Sequence, residues 1–293
     1  MIHQVNQQEL DRAAYTLAKD FLLQSGAGKG VTPELIENYL HLSAPRPDTL
    51  AALYERMLES AQSGNMNAGV ISGSIGGVSS LGLILCDFEP SRVLEKYRSD
   101  WEEVLDDVVA QLKPRGTIRR TSRSIWPRYC RTILSSAKNL AQFESASDFY
   151  KWVDLFDRDE RARAALPMLL DQEIEDFGFA LACDFVMGLG YANFSKPDVH
   201  IKDIFQGLGL CPWGTSDYEV FKAVVRVASN VGVTPYNVDK LFWLIGSGYF
   251  YEDPHIGQKG RIGSLKKQFI GVAQVELELA RYAQASRNLV IAP

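Results

Sequence analysis

Asp198 is the residue whose type and position best suit chemistry. It lies in the stretch FSKPDVHIKDIFQGLGL (194–210), directly after Pro197 and at the start of an apolar pattern with helical spacing. The apolar positions are Ile201, Ile204, Phe205 and Leu208. Asp is a favoured N-cap. A carboxylate fixed at a helix start can also stabilise positive charge in a transition state or activate a water molecule. On these residues alone, a plain cap is the preferred interpretation.

The helix that would follow Asp198 is one of ten or more predicted along the chain. Several begin with the residues that helix starts prefer, as Thr32 and Pro33 do in TPELIENYLHL. Strand signals are few, and neither an internal repeat nor a low-complexity tract is evident. The sequence therefore predicts a mostly α protein.

Bulk properties narrow the class of protein. The 293 residues suffice for one large domain or two lobes that share a core. No apolar run reaches the roughly 18 residues of a membrane helix, and the N-terminus lacks a basic-then-apolar signal pattern. A cytoplasmic protein is expected.

The four cysteines are far apart and form no C-x-x-C pair, which argues against a Cys-based metal site or a disulfide framework.

Basic residues are concentrated in one segment, although the net charge of -5 argues against a generic polyanion binder. Segment 113–131 contains no acidic residue, and its arginines alternate with Thr, Ser, Trp126 and Tyr129, a composition suited to phosphate contacts and base stacking. An equally weighted alternative is a solvated loop that pairs with the acidic helix SDWEEVLDDVV before it. A second, weaker candidate is the basic loop 257–267.

Two glycine-rich stretches admit simple interpretations. SGAGKG (25–30) lacks the spacing of a phosphate-binding P-loop and follows a helical pattern, so a helix end is favoured. Stretch 69–85, GVISGSIGGVSSLGLIL, is interpreted as close packing or a loop in preference to a backbone surface beside a ligand.

Three segments in order resemble the helix-hairpin-helix DNA glycosylase superfamily. IEDFG (174–178) falls where that family has its Leu-Pro-Gly-Val-Gly hairpin, and KPDVHI (196–201) falls on its aspartate motif at the expected spacing. TPYNVDKLFWLIG (234–246) is similar to the family's closing helix. WPRYCRTILSSAKNLAQF (126–143) resembles the early helices of its six-helix lobe, so the resemblance covers roughly 120–250.

The resemblance implies a mostly α, two-lobed helical fold with a helix-hairpin-helix motif and an active-site cleft between the lobes. It further implies a monofunctional glycosylase in which Asp198 hydrolyses the N-glycosidic bond of a damaged or modified base flipped out of double-stranded DNA. No metal or cofactor is expected, nor a membrane partner, and the protein is expected to be a monomer. The expected DNA contacts are Gly178, Lys196, Arg119, Arg120, Arg123, Arg128, Lys259 and Arg261. The expected base-pocket residues are Trp126, Tyr129 and Trp243.

The chain departs from the family pattern at the hairpin. Glu175 and Asp176 replace the proline and the first glycine, which puts the hairpin's grip on phosphate in question, although Asp tolerates the left-handed conformation. Ala180 falls where bifunctional members carry a Schiff-base lysine, so lyase chemistry by that route is not expected.

The expected organisation has three segments within one two-lobed unit. Residues 1–112 form an unmatched helical region that packs with the C-terminal helices, 113–250 form the lobe with the hairpin and Asp198, and 251–293 form a basic loop and helix.

Alternative functions are a non-catalytic sensor of modified DNA, a bifunctional enzyme with an unaligned lysine, and a helical protein–protein adaptor. The chemistry fits base excision repair, and equally fits antiviral defence against foreign DNA that carries a bulky modified base.

Overall fold

The computed structural model describes residues 7–43, 46–64 and 68–290, and these residues are mostly helical. The prediction of a mostly α protein is confirmed. No β-strand occurs within the described ranges, where only isolated bridges around Arg261 are found. In chain order the α-helices are α1 Gln7–Gly26, α2 Pro33–Leu40, α3 Leu50–Ala61, α4 Ser72–Ile75, α5 Pro90–Tyr97, α6 Trp101–Asp107, α7 Ile125–Leu140, α8 Ala146–Asp157, α9 Glu160–Arg163, α10 Ala165–Glu173, α11 Phe179–Gly188, α12 Val199–Gly207, α13 Asp217–Val231, α14 Pro235–Ser247 and α15 Lys266–Val290.

Local sequence chemistry sets many of the helix starts. The Thr32 side chain accepts a hydrogen bond from the backbone N–H of Leu35, and Pro33 is the first helical residue of α2. At α14, Thr234 and Asn237 form a reciprocal capping box. These caps satisfy backbone N–H groups that have no partner within the helix. The predicted start of α2 is therefore confirmed.

Two units divide the chain. Unit 1 comprises Met1–Ser43 and Ala192–Pro293, and unit 2 comprises Ala44–Tyr191. These bounds differ from the three expected segments, because α1 and α2 pack with the C-terminal helices while α3–α6 join α7–α11. No helix in the described part of the chain has the length and apolar character needed to cross a membrane.

Unit 1 is built around α14, which contacts α1, α2, α12, α13 and α15. Its core contains a run of aromatic contacts from Phe205 through Phe242 to Phe269. The buried Asp11 of α1 receives two hydrogen bonds from the Arg226 guanidinium of α13, at 2.9 and 3.1 Å. This paired carboxylate holds the N-terminal helix against the C-terminal part of the unit.

Unit 2 is centred on α7, which contacts α3, α5 and α6. Trp126 and Tyr129 of α7 are only 5% and 3% exposed, and the Tyr129 hydroxyl donates to the Leu58 carbonyl at 3.0 Å. Both rings, expected as base-pocket residues, are thus placed in the core of unit 2, because the inner face of the amphipathic helix α7 carries them inward.

Candidate functional site

Asp198 is the N-cap of α12, as the sequence predicts. Its Oδ1 accepts hydrogen bonds from the backbone N–H groups of His200 at 2.8 Å and Ile201 at 3.1 Å. Within the described residues, Oδ2 has no hydrogen-bond donor, and the side chain belongs to a half-buried residue. Asp198 therefore lies neither in a sealed interior nor on a bare surface. One oxygen is fixed and the other is left for a further partner.

The turn before Asp198 is held from α14 by a second carboxylate. The backbone N–H of Lys196 donates to Oδ2 of Asp239 at 2.5 Å, and the N–H of Asp198 donates back to the Lys196 carbonyl at 2.7 Å. Asp239 is only 4% exposed. The direction of the Asp198 side chain thus depends on α12, which it caps, and on α14, which anchors the preceding turn.

The electrostatic state of Asp239 depends on its surroundings. Burial and the nearby negative charge of Asp198 raise the pKa of Asp239 to about 8, against the opposing effects of Lys240, Lys196 and the backbone hydrogen bond from Lys196. At neutral pH the Asp239 carboxyl therefore holds a proton. Asp198 is the more accessible of the two carboxyl groups, since it is half-buried whereas Asp239 is buried.

His200 packs between α12 and α14. A Cβ added at Gly246 would lie 2.6 Å from the His200 Cβ, so this glycine permits the close approach of the two helices. Burial lowers the pKa of His200, and its Nδ1 has no hydrogen-bond partner within the described residues. A neutral, half-buried imidazole agrees with a packing role rather than with direct chemistry.

Trp243, the third expected base-pocket residue, belongs to an aromatic group on α14 and the following loop. Lys240 Nζ lies 5.0–5.4 Å from the ring centroids of Tyr236, Trp243 and Tyr251. Trp243 is half-buried, whereas Tyr251 is exposed. Lys240 is not among the site residues predicted from the sequence. Its signal was the helical spacing that puts Lys240 on one face of α14 with Tyr236 and Trp243.

The basic loop that follows lies on the surface of unit 1. Lys259 and Arg261 are both exposed. The Arg261 guanidinium lies 3.9 Å from the centroid of the Tyr249 ring, within the range of a cation–π interaction. Gly257, Gly260 and Gly263 have positive φ, so the glycines here serve a series of tight turns.

The segment expected as a hairpin, 174–178, joins α10 to α11 in unit 2. Asp176 adopts φ 59°, the left-handed conformation that Asp was expected to tolerate in place of glycine. Its two carboxylate oxygens accept hydrogen bonds from Arg128 at 2.8 Å and Arg131 at 2.7 Å. The Glu175 carbonyl accepts a hydrogen bond from Thr132 of α7 at 2.7 Å. The acidic residues of this turn are therefore neutralised and anchored within unit 2.

The end of this turn remains open. Gly178 is the N-cap of α11, no side chain caps this helix start, and no heavy atom lies within 4 Å of a Cβ added there. Ala180 follows in the first turn of α11, and the nearby sequence positions offer no lysine.

The arginines of the basic segment fall into two groups. Arg120 forms an exposed ion pair with Asp106 of α6, which is the acidic helix that the solvated-loop alternative names. Arg128 is occupied by Asp176. Arg119 and Arg123 are exposed, and no carboxylate pairs with either among the described residues. The structure thus separates four arginines that the sequence presented as one set.

Two further acidic residues, Asp184 of α11 and Asp203 of α12, have side-chain partners. Asp184 accepts a hydrogen bond from Ser60 at 2.7 Å, and Asp203 pairs with Lys266. His255 is exposed. No group of His, Cys, Asp and Glu with the geometry of a metal site occurs in the described part of the chain, where all four cysteines are free thiols.

Neither a family model, nor a curated protein, nor a solved structure matches the chain.

Proposed function

We propose that the protein is a monofunctional DNA glycosylase of the helix-hairpin-helix type, with Asp198 as its catalytic carboxylate. The observation that carries the proposal is the state of this side chain: Oδ1 is fixed by two backbone N–H groups, while Oδ2 is unpaired within the described residues. A carboxylate held in this way is pre-oriented, so little reorganisation is needed when charge develops in front of it.

The chemistry follows from the bond that breaks. As the N-glycosidic bond lengthens, its electron pair leaves with the base and positive charge develops on the deoxyribose. The Asp198 carboxylate stabilises that charge and orients the water that adds to the sugar carbon, and it accepts the proton that this water loses. The positive end of the α12 dipole lies beside this side chain, because Asp198 is the N-cap of α12. The departing base takes up a proton and the proton held by Asp198 is released, so the products are a neutral free base and an abasic site.

The turn between α10 and α11 supports the helix-hairpin-helix part of the proposal. The pairing of Asp176 with Arg128 and Arg131 removes the charge that would otherwise repel a phosphate. The open start of α11 at Gly178 offers backbone N–H groups to an anion. We assign Gly178 to DNA contact on this basis.

The test compares purified wild-type protein with Asp198→Asn on genomic DNAs that carry canonical bases and naturally modified bases, including bulky ones. Released base is detected by mass spectrometry, and abasic sites by an aldehyde-reactive probe. We expect the wild type to release one class of base, and Asp198→Asn to release at least about 100-fold less, because general-base and electrostatic catalysis are lost while the cap is kept. Asp203→Asn is the matched control, since Asp203 lies on the same helix and pairs with Lys266.

Two outcomes would replace the proposal with an alternative. DNA binding without base release by the wild type on every substrate would indicate a non-catalytic sensor. A covalent DNA adduct trapped by borohydride would indicate a lysine nucleophile and a bifunctional enzyme. Undiminished release by Asp198→Asn would remove Asp198 from the mechanism.

A further inference from the structure

Two segments that the sequence presents as unrelated lie against each other in unit 2. The backbone N–H of Arg115 donates to the Ser74 carbonyl at 3.0 Å, and its guanidinium donates to the Gly73 carbonyl. The glycine-rich stretch 69–85 and the basic segment 113–131 therefore meet at Arg115, although 42 residues separate Arg115 from Gly73.

Gly73 leaves its part of the backbone uncovered by any side chain. No heavy atom lies within 4 Å of a Cβ added at Gly73, and its φ lies outside the left-handed region. Neither close packing nor backbone conformation thus requires glycine at this position. Gly76 and Gly77 follow with φ of 84° and 123°, where a side chain would be strained. Gly73 thus leaves open space beside a backbone whose carbonyl groups at Gly73 and Ser74 are held by Arg115.

The positive charges beside this backbone are only partly neutralised. Arg120, Arg128 and Arg131 have carboxylate partners. Lys113, Arg119 and Arg123 are exposed and form no ion pair within the described ranges. A cluster of unpaired cations on a chain whose net charge is -5 creates a local positive potential that attracts an anion.

The neighbouring side chains suit a nucleic acid better than an isolated anion. Thr117, Thr121 and Ser122 are exposed between the arginines and carry hydroxyl groups of the kind that contact phosphate oxygens. Leu83 and Val70, 70% and 42% exposed, add apolar contacts on the glycine-rich side. Cations and hydroxyl groups follow one another along segment 113–123, and the open space at Gly73 lies beside Arg115. This arrangement suits the repeating phosphates and sugars of a nucleic acid.

We propose that this surface, formed by residues 72–77 together with Lys113, Arg115, Arg119 and Arg123, binds the phosphodiester backbone of DNA. The choice of DNA over another polyanion rests on the proposed function, whereas the placement of the surface does not depend on Asp198. The interaction is with phosphate and sugar, so it carries no base specificity.

The first experiment measures the affinity of Asp198→Asn protein for an unmodified duplex as a function of KCl concentration. In that background, Arg119→Gln/Arg123→Gln is compared with Arg158→Gln/Arg161→Gln, which changes the net charge equally at side chains that are 77% and 90% exposed elsewhere in unit 2. We expect the first pair to lower the affinity for the duplex about tenfold or more. We also expect it to reduce the magnitude of the slope of log association constant against log KCl concentration by about 2. The second pair should change neither by a comparable amount.

The second experiment uses the uncovered glycine. Gly73→Ala and Gly73→Leu should leave the urea unfolding midpoint close to that of the parent, as surface substitutions do. Gly73→Leu should weaken duplex binding about tenfold or more, because its side chain covers the backbone against which a phosphate would lie, and Gly73→Ala should weaken it less.

The outcomes separate this inference from the proposed function. Equal effects of the two arginine pairs on duplex affinity, or full affinity in Gly73→Leu, would overturn the assignment of this surface to DNA binding, even if the wild type releases base. Selective loss of binding would support the surface even if no base is ever released. Binding of an acidic peptide but not of the duplex would overturn the assignment to DNA.

Discussion

Asp176 in unit 2 and Asp198 in unit 1 are both carboxylates beside the start of a helix, but they use their oxygens differently. Asp176 has both oxygens occupied by the guanidinium groups of Arg128 and Arg131. Asp198 has one oxygen occupied by two backbone N–H groups of its own helix, and within the described residues the other has no partner. The first arrangement uses both oxygens within the protein, whereas the second leaves one oxygen able to contact a ligand.

The difference shows why an acidic residue in a motif has to be judged by its partners. From the sequence, Asp176 looked unfavourable because it adds a charge where phosphate is expected. In the folded protein that charge is balanced by two arginines of α7, which are thereby removed from the set available to DNA. Asp198 looked like an ordinary cap, and it is a cap, but this role uses only Oδ1.

The largest effect is expected when the two carboxylates are exchanged for amides one at a time. Asp198→Asn should reduce base release at least about 100-fold, because it removes the carboxylate that acts on the reacting sugar. Asp176→Asn should change base release less than about threefold, because Asp176 does not contact that sugar. Single-turnover base release on the preferred substrate measures both. Equal losses in the two variants would contradict the distinction.

The free energy of unfolding should show the opposite order, with substitution of Asp176 costing more than substitution of Asp198. Asp176→Ala removes the carboxylate that Arg128 and Arg131 share, and it leaves Arg131 its 3.4 Å ion pair with the exposed Glu175. We expect a cost of about 2 kcal/mol, below the value for fully buried pairs because these side chains are partly exposed. Asp198→Asn should cost less than about 0.5 kcal/mol, since Asn is as good an N-cap as Asp. Urea unfolding of both variants measures the difference. A larger cost at position 198 would reverse our interpretation.

The close contact behind Asp198 offers a third test. Gly246→Ala puts a methyl group 2.6 Å from the His200 Cβ, which should destabilise the protein by about 1–3 kcal/mol and displace α12 together with Asp198. Gly271→Ala on α15 is the control, because a Cβ there has open space. It should be neutral or stabilising by about 0.5–1 kcal/mol. Thermal unfolding and base release are measured together, and unchanged base release in Gly246→Ala would separate helix packing from catalysis.

The last prediction concerns Asp239, whose effect on stability is spread over several pH units. Its pKa is raised to about 8 in the folded protein, so between about pH 4 and pH 8 the folded state keeps a proton that the unfolded chain has released. The free energy of unfolding should therefore fall with rising pH by up to about 1.4 kcal/mol per unit across this window. Asp239→Asn cannot titrate and should remove that slope. Urea unfolding at pH 5, 6.5 and 8 measures it, and parallel pH profiles for the two proteins would show that Asp239 is not the titrating group.

The sequence alone determined the features that depend on neighbours along the chain. The mostly α fold, the cap at Thr32 and the cap at Asp198 could all be predicted, because each cap joins residues two or three positions apart. The tertiary structure alone decided which distant groups meet: Asp239 and Lys196 are 43 residues apart, Asp176 and Arg128 are 48 apart, and Arg115 and Gly73 are 42 apart. Helical periodicity reports which face of a helix is buried, but not which other helix covers it. For that reason the sequence identified Asp198 itself, while the structure was needed to find the carboxyl that anchors its turn and the arginines that remain unpaired.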